Sequence, residues 1–243
     1  NASGCDSIVN LNLTIIPGMN LSMKAFLGGA YDPQTGLMYD SLRHKQLIPL
    51  TELYSMTPFN RPQVLFAGGE TVSPSLLSIT GPDAIVDWVY IEVRSGANAN
   101  QIVATKRALI QRDGDVVDTN GSANIFLPGF ASGQYFISLK HRNHLGIMTA
   151  NAISLNEVPV LINFTQPSYP VWVNSLITTN PPRKISGNVA LMIAGDANFN
   201  KNVKYNGSSN DKAAVLALVG VPTPNNVVNG YRPEDVNMDG QVK

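Results

Sequence analysis

The stretch "IVDWVYIEVR", residues 85–94, alternates in the manner of a buried strand. Ile85, Val89, Ile91 and Val93 fall on one side, and Trp88 and Tyr90 on the other, which turns polar at Glu92 and Arg94. Apolar residues on both sides predict a central strand. "SIVNLNLTI" at 7–15 has the same period of two but only one apolar side, as a half-buried strand would. "LSMKAFLGGAY" reads as a strand interrupted at Gly28 and Gly29, and "DPQTG" after it as a turn. In "QIVATKRALIQRDGDVVDT" two strand-like runs flank Asp113-Gly114, which predicts a hairpin with a type I′ turn. "GQYFISLKHRN", "AISL" and "PVLINFT" add three more strands. About seven short strands with almost no helical period before residue 210 predict a mainly β fold, an antiparallel β-sandwich.

Helical signals are few. "DSLRHKQLIPL" allows one turn after Asp40, ended by Pro49. From there to Pro82 the chain is rich in Pro and Gly and is expected to run over the surface. "SNDKAAVLALVG" has a cap at Asn210 or Asp211, a run of helix formers and Gly220 just beyond, and predicts the one substantial helix. The expected organisation is the end of a preceding β-repeat at 1–17, a β-sandwich at 18–165, a proline-rich linker at 166–190 packed through Tyr169 and Trp172, and a small loop-and-helix module at 191–243.

Composition narrows the function classes. Lys plus Arg and Asp plus Glu both total 17, so no basic excess exists to neutralise phosphates, and nucleic acid is not an expected partner. No apolar run approaches the length of a membrane span. The single cysteine, Cys5, excludes an internal disulfide. The chain lacks an initiator Met and stops inside a repeat, so it is expected to be part of a longer protein. It contains no nucleophile elbow, phosphate loop or zinc motif, and a non-catalytic protein is expected.

The repeat carries the candidate chemistry. "GDANFNKNVKY" puts side-chain oxygens at Asp196, Asn198 and Asn200, and 39 positions later "EDVNMDGQVK" puts them at Asp235, Asn237 and Asp239. Val203 and Lys204 recur as Val242 and Lys243. A calcium loop needs oxygens at positions 1, 3 and 5, a carbonyl at 7 and a closing acid. In the first repeat these are Asp196, Asn198, Asn200, the carbonyl of Asn202 and Asp211, with Val203 pointing into a small core. In the second they are Asp235, Asn237, Asp239 and Gln241, with no closing acid before the chain stops. A single Asx-rich turn needs no ion, because Asn and Asp satisfy their own backbone. Two in tandem, one leading into a capped helix, point to calcium loops. Asn200 and Lys201 stand where aspartate and glycine would be expected, so the first loop is expected to bind weakly, whereas "DVNMDG" keeps the standard pattern.

These loops resemble the duplicated calcium-binding repeats of dockerin-type modules. With "LSMKAFLGGAYDPQTGLM", "LIPLTELY", "GPDAIVDWVYIEVRS", "VATKRALIQRDGDVVDTNG" and "LKHRNHLGIMTA" the chain resembles the C-terminal region of large Bacteroidetes surface adhesins and hemagglutinin-like proteins, exported by the type IX secretion system. Some relatives of that kind serve gliding motility. The family pattern is "GDANGDGKVKY…NDRD", and this chain departs from it at ion ligands. The resemblance implies an extracellular, outer-membrane-associated protein that serves in display, anchoring or adhesion, with calcium as cofactor and an outer-membrane or secretion-system protein as anchoring partner. Surface glycans are a further expected partner. A carbohydrate-binding accessory module is the alternative, with Trp88, Tyr90 and Trp172 as stacking candidates.

Two other clusters have plainer explanations. His141 and His144 in "HRNH" could hold a metal, but His141 sits on the core-facing side of a strand end, where a hydrogen-bonded histidine is the commoner use. Asp113, Asp115 and Asp118 in "RDGDVVD" could face a cation, but the hairpin turn explains the first two.

Overall fold

A computed structural model describes residues 17–173, 182–220 and 226–243. The strand expected at 7–15 and Cys5 lie outside the described residues. The body contains β1 (Gly18–Lys24), the short pair β2 (Tyr31–Asp32) and β3 (Leu37–Met38), α1 (Ser41–His44), α2 (Pro74–Leu77), β4 (Ile85–Ser95), β5 (Asn98–Gln111), β6 (Asp115–Val117), β7 (Ile125–Pro128), β8 (Gly133–Lys140), β9 (Ile147–Met148), β10 (Ile153–Leu155) and β11 (Val160–Asn163). After these come β12 (Lys184–Ser186), β13 (Val189–Leu191), α3 (Asp211–Val219), β14 (Val228–Asn229) and β15 (Gln241–Val242).

The fold is mainly β, with antiparallel pairing throughout the main sheet except between β1 and β11, which run parallel. Nine strands form that sheet in the order β10-β8-β4-β5-β6-β1-β11, with β7 also on β1 and β9 on β8. β1 approaches β10 from near the opposite end of this order, so the sheet curls over on itself. The enclosed core includes Leu21, Met23, Val89, Ile91, Val93, Ile137, Leu139 and Ile162. β4 is the central strand its pattern predicts, paired with β5 on one side and β8 on the other.

Its second side, with Trp88 and Tyr90, is covered not by a sheet but by the connection between α1 and β4. Carbonyls of that connection take the polar tips: Trp88 Nε1 donates to Pro49 O at 2.8 Å and the Tyr90 hydroxyl to Pro62 O at 2.6 Å. Arg107 of β5 is buried beside them, with its guanidinium 5.3 Å from the Tyr90 ring and Glu52 and Glu70 of the connection at 3.7 and 3.9 Å. Burial opposes ionisation of Glu52, yet its pKa is lowered, because the Ser55 hydroxyl, the amides of Ser55 and Gly69 and the Arg107 charge all favour the carboxylate. Trp88 and Tyr90 are fully buried, so the expectation that they offer stacking surfaces is corrected.

The hairpin at Asp113-Gly114 is present, but its turn is different from the one predicted. Only Gly114 has positive φ, at 90°, and its amide donates to Gln111 O, so the loop is a type I turn closed by a left-handed glycine. Asp113 and Asp115 face Lys24, and Asp118 faces Lys106. α1 is the single turn expected, although Asp40 pairs with Arg43 at 2.5 Å instead of capping the backbone. α3 is capped at its start by Asn210, whose side chain accepts from Ala213 N, and at its end by Gly220 with φ 87°. Within 166–190 the described residues include β12 and the start of β13, which form a hairpin. Tyr169 packs on Phe164 and Trp172 on Phe136.

Candidate functional site

The two Asx-rich loops have matching backbones. Positive φ occurs at Phe199 and Lys201 in the first and at the corresponding Met238 and Gly240 in the second. In each, the leading aspartate accepts an amide five residues on: Lys201 N to Asp196 Oδ2 at 3.1 Å, and Gly240 N to Asp235 Oδ2 at 2.8 Å. In each, the side chain at position 5 accepts the amide two residues on: Asn202 N to Asn200 Oδ1, and Gln241 N to Asp239 Oδ1, both 2.8 Å. The sequence repeat is therefore a structural one.

Their carboxylates differ. Asp196 and Asp211 are both buried, and each leaves Oδ1 without a hydrogen-bond partner while Oδ2 accepts a backbone amide. Burial, opposed by the Lys201 amide and reinforced by the nearby Asp211 charge, pushes the Asp196 pKa up to about 6. Asn198 and Asn200 donate their side-chain amides to Ser209 O, which draws "NGSSN" against the loop, and the Asn202 side-chain amide donates to Asn200 O. In the second loop both oxygens of Asp235 accept amides, and Asp239 is engaged by Lys243 at 2.5 Å and by Asn237 at 3.0 Å. Gln241 lies in β15 and donates to Asn229.

A buried carboxylate oxygen with no donor costs free energy that a cation would recover. Asp196 and Asp211, with the Asn198, Asn200 and Asn202 oxygens at loop spacing, suit a hard divalent ion; the second loop has no comparable free oxygen. Among the described residues no group of three His, Cys, Asp or Glu side chains is placed to hold a metal ion. One expectation is corrected: Val203 is 37% exposed and lies over Gly195, whereas its counterpart Val242 is buried.

Both loops dock on "HRNH", the segment after β8. The Asn143 carbonyl accepts the Gly195 and Asp196 amides of the first loop, and Asn143 Nδ2 donates to Asp235 O of the second at 2.7 Å. Arg142 stacks 4.3 Å from the Tyr231 ring, donates through Nη1 to Arg232 O and holds Asp87 Oδ2 at 2.8 Å. The Tyr231 hydroxyl donates to Asp87 Oδ1 at 2.5 Å. Gly29 is required at the second loop, since a Cβ there would stand 1.9 Å from Val236 O.

The histidines complete this node in fixed tautomers. The Gly29 amide donates to His144 Nε2 at 3.0 Å, so that nitrogen is bare and Nδ1 carries the hydrogen, toward Asn143 Oδ1 at 2.7 Å and His141 Nδ1 at 3.0 Å. His141 Nε2 faces Asp87 Oδ2 at 3.1 Å, and a carboxylate only accepts, so the His141 hydrogen is there. Both rings are neutral, and burial lowers both pKa values. Burial resists a charge on Asp87 too, but Arg142, His141 and Tyr231 hold its pKa far below the usual carboxylate range. The histidines are structural, and Asp87, an acid inside an apolar strand, is the sequence signal for this node.

A comparison of the chain with protein-family models, curated proteins and solved structures finds no match. Among the described residues no helix is long and apolar enough to cross a membrane.

Proposed function

We propose that the chain is a non-catalytic terminal region of a secreted cell-surface adhesin, serving in display or anchoring, in which calcium fastens the loop at 196–211. The observation that carries the calcium reading is the pair of buried, unpartnered oxygens on Asp196 and Asp211. With two carboxylates, and Lys201 and Lys204 in the same loop, affinity belongs to the weak range of extracellular calcium modules, Kd on the order of 10⁻⁴–10⁻³ M. The docking of both loops on one segment after β8 supports an anchoring role, because it ties the two loops to each other and to the sheet. The surface role itself rests on the resemblance of the quoted motifs.

Two measurements test this. Calorimetric titration with calcium should show one site that Asp211→Asn abolishes; no heat in a folded protein would refute the ion. Cross-linking of the native polypeptide on intact cells should recover an outer-membrane component, and recovery only from the cytosol would refute the surface role. A second reading, a carbohydrate-binding accessory module, retains one of its aromatic candidates, Trp172, which is exposed.

A further inference from the structure

A small pocket of 190 Å³ opens where β4, β5 and β8 meet the segment after β11, lined by Arg94, Asn100, Ser138, Lys140, Met148 and Trp172 among others. Lys140, the last residue of β8, is partly buried and lies across Gly146, where a Cβ would stand 2.6 Å from its Nζ. Among the described residues its ammonium has no hydrogen-bond acceptor and no ion-pair partner. The acid that acts on it, Glu92, is already engaged by Arg94, through Nη2 at 2.6 Å and Nε at 3.0 Å. Burial lowers the Lys140 pKa, opposed by the Glu92 charge and reinforced by Arg94, Arg61 and Lys201.

Trp172 forms another wall. It is 46% exposed, its ring is held edge-on by Phe136 at 5.8 Å and 85°, and its amide donates to Met148 O at 2.8 Å. The indole is thus a fixed platform that remains open to solvent. Beneath it the buried Ser138 hydroxyl donates to Ile147 O at 3.1 Å and fixes the floor. A flat apolar face beside an ammonium that forms no ion pair of its own, with Arg94 and Asn100 at the rim, matches a ring that carries both C–H surface and a carboxylate.

We propose that this pocket binds a carboxylate-bearing sugar ring, of the uronic- or sialic-acid kind, with its carboxylate on Lys140 and one face against Trp172. The proposal does not depend on an ion in the loops, so its failure leaves the calcium reading intact.

The chain has two tryptophans, and Trp88 is fully buried, so a ligand-dependent change in emission reports on Trp172. The whole protein, with calcium and again with EDTA, is titrated at low salt with glucuronic acid, glucose and acetate. A saturable change with glucuronate, at least tenfold weaker with glucose and absent with acetate, is expected under both conditions. Lys140→Gln should reduce glucuronate affinity to that of glucose, and Lys140→Arg should largely preserve it, which separates loss of the charge from loss of folding. Equal response to glucose and glucuronate, a matching response to acetate, unchanged binding in folded Lys140→Gln, or no saturable change would each overturn the proposal.

Discussion

Replacing Asp196 by asparagine should have an effect on stability that depends on calcium. In the metal-free protein the Asp196 pKa rises from 3.8 to about 6, so its charged form opposes folding at neutral pH. A carboxyl raised in this way supports folding fully below its unfolded pKa and loses that support as pH climbs through about 6. Two pKa units correspond to about 3 kcal/mol at pH 7.5. The replacement carboxamide has no charge to desolvate and keeps an oxygen for the Lys201 amide. In EDTA the variant should therefore melt above the wild type, by as much as roughly 6–12 °C for a chain of this size. In calcium the gap should close, because a 100-fold excess over Kd adds about 2.7 kcal/mol to the wild type alone. Differential scanning calorimetry at pH 7.5, with EDTA and with 100-fold excess calcium as the two arms, reads both effects. A variant that melts below the wild type in EDTA, or that still responds to calcium, would refute the argument.

Other substitutions separate ion binding from docking. Asp235→Ala should cost about 2–4 kcal/mol with or without calcium, because it leaves the Asp239 and Gly240 amides unpaired; urea titrations in both conditions check this. Asp87→Ala should cost about 3–5 kcal/mol by leaving buried Arg142 uncompensated, measured by the same titration. Acidification from pH 7 to 5 should destabilise the Asp196→Asn variant, since both histidines have folded pKa values below 6.5 and bind protons more readily when unfolded. Each contributes up to about 2 kcal/mol, checked by melting temperature against pH.

The body is legible in the sequence where one period runs long enough. β4 and the β5–β6 hairpin follow from "IVDWVYIEVR" and Asp113-Gly114, because side-chain alternation and a glycine at positive φ are local properties. β7 and β9 escape such a reading: each is too short to display a period, and β7 also pairs with β1, far back in the chain, whereas β9 folds onto the adjacent β8. The type I′ expectation fails because Asp113 keeps negative φ and Gly114 alone supplies the left-handed residue. The second layer over β4 has the composition of a surface connection, whereas Tyr54 and Glu52 bury themselves on Trp88 and Arg107; that choice is tertiary. At the loops the repeat itself is plain in the spacing. Which carboxylates remain free is not, since it depends on where Asp211 and "HRNH" pack. The first loop, which departs from the standard pattern at Asn200 and Lys201, has the unpartnered oxygens, and the second, closer to that pattern, has its own consumed by amides and Lys243.

The joint between the second loop and β4 also sets how the molecule responds to pulling. Tension applied at Lys243 first meets β15, joined to β14 by two residue pairs. Beyond it, the pull reaches Asn143, Arg142 and Asp87, a short polar chain ending in the innermost strand. Stretching should peel the terminal ladder as a sacrificial link at low force, while the barrier that follows is set by the buried carboxylate, leaving the curled sheet intact under a load that has already lengthened its tail.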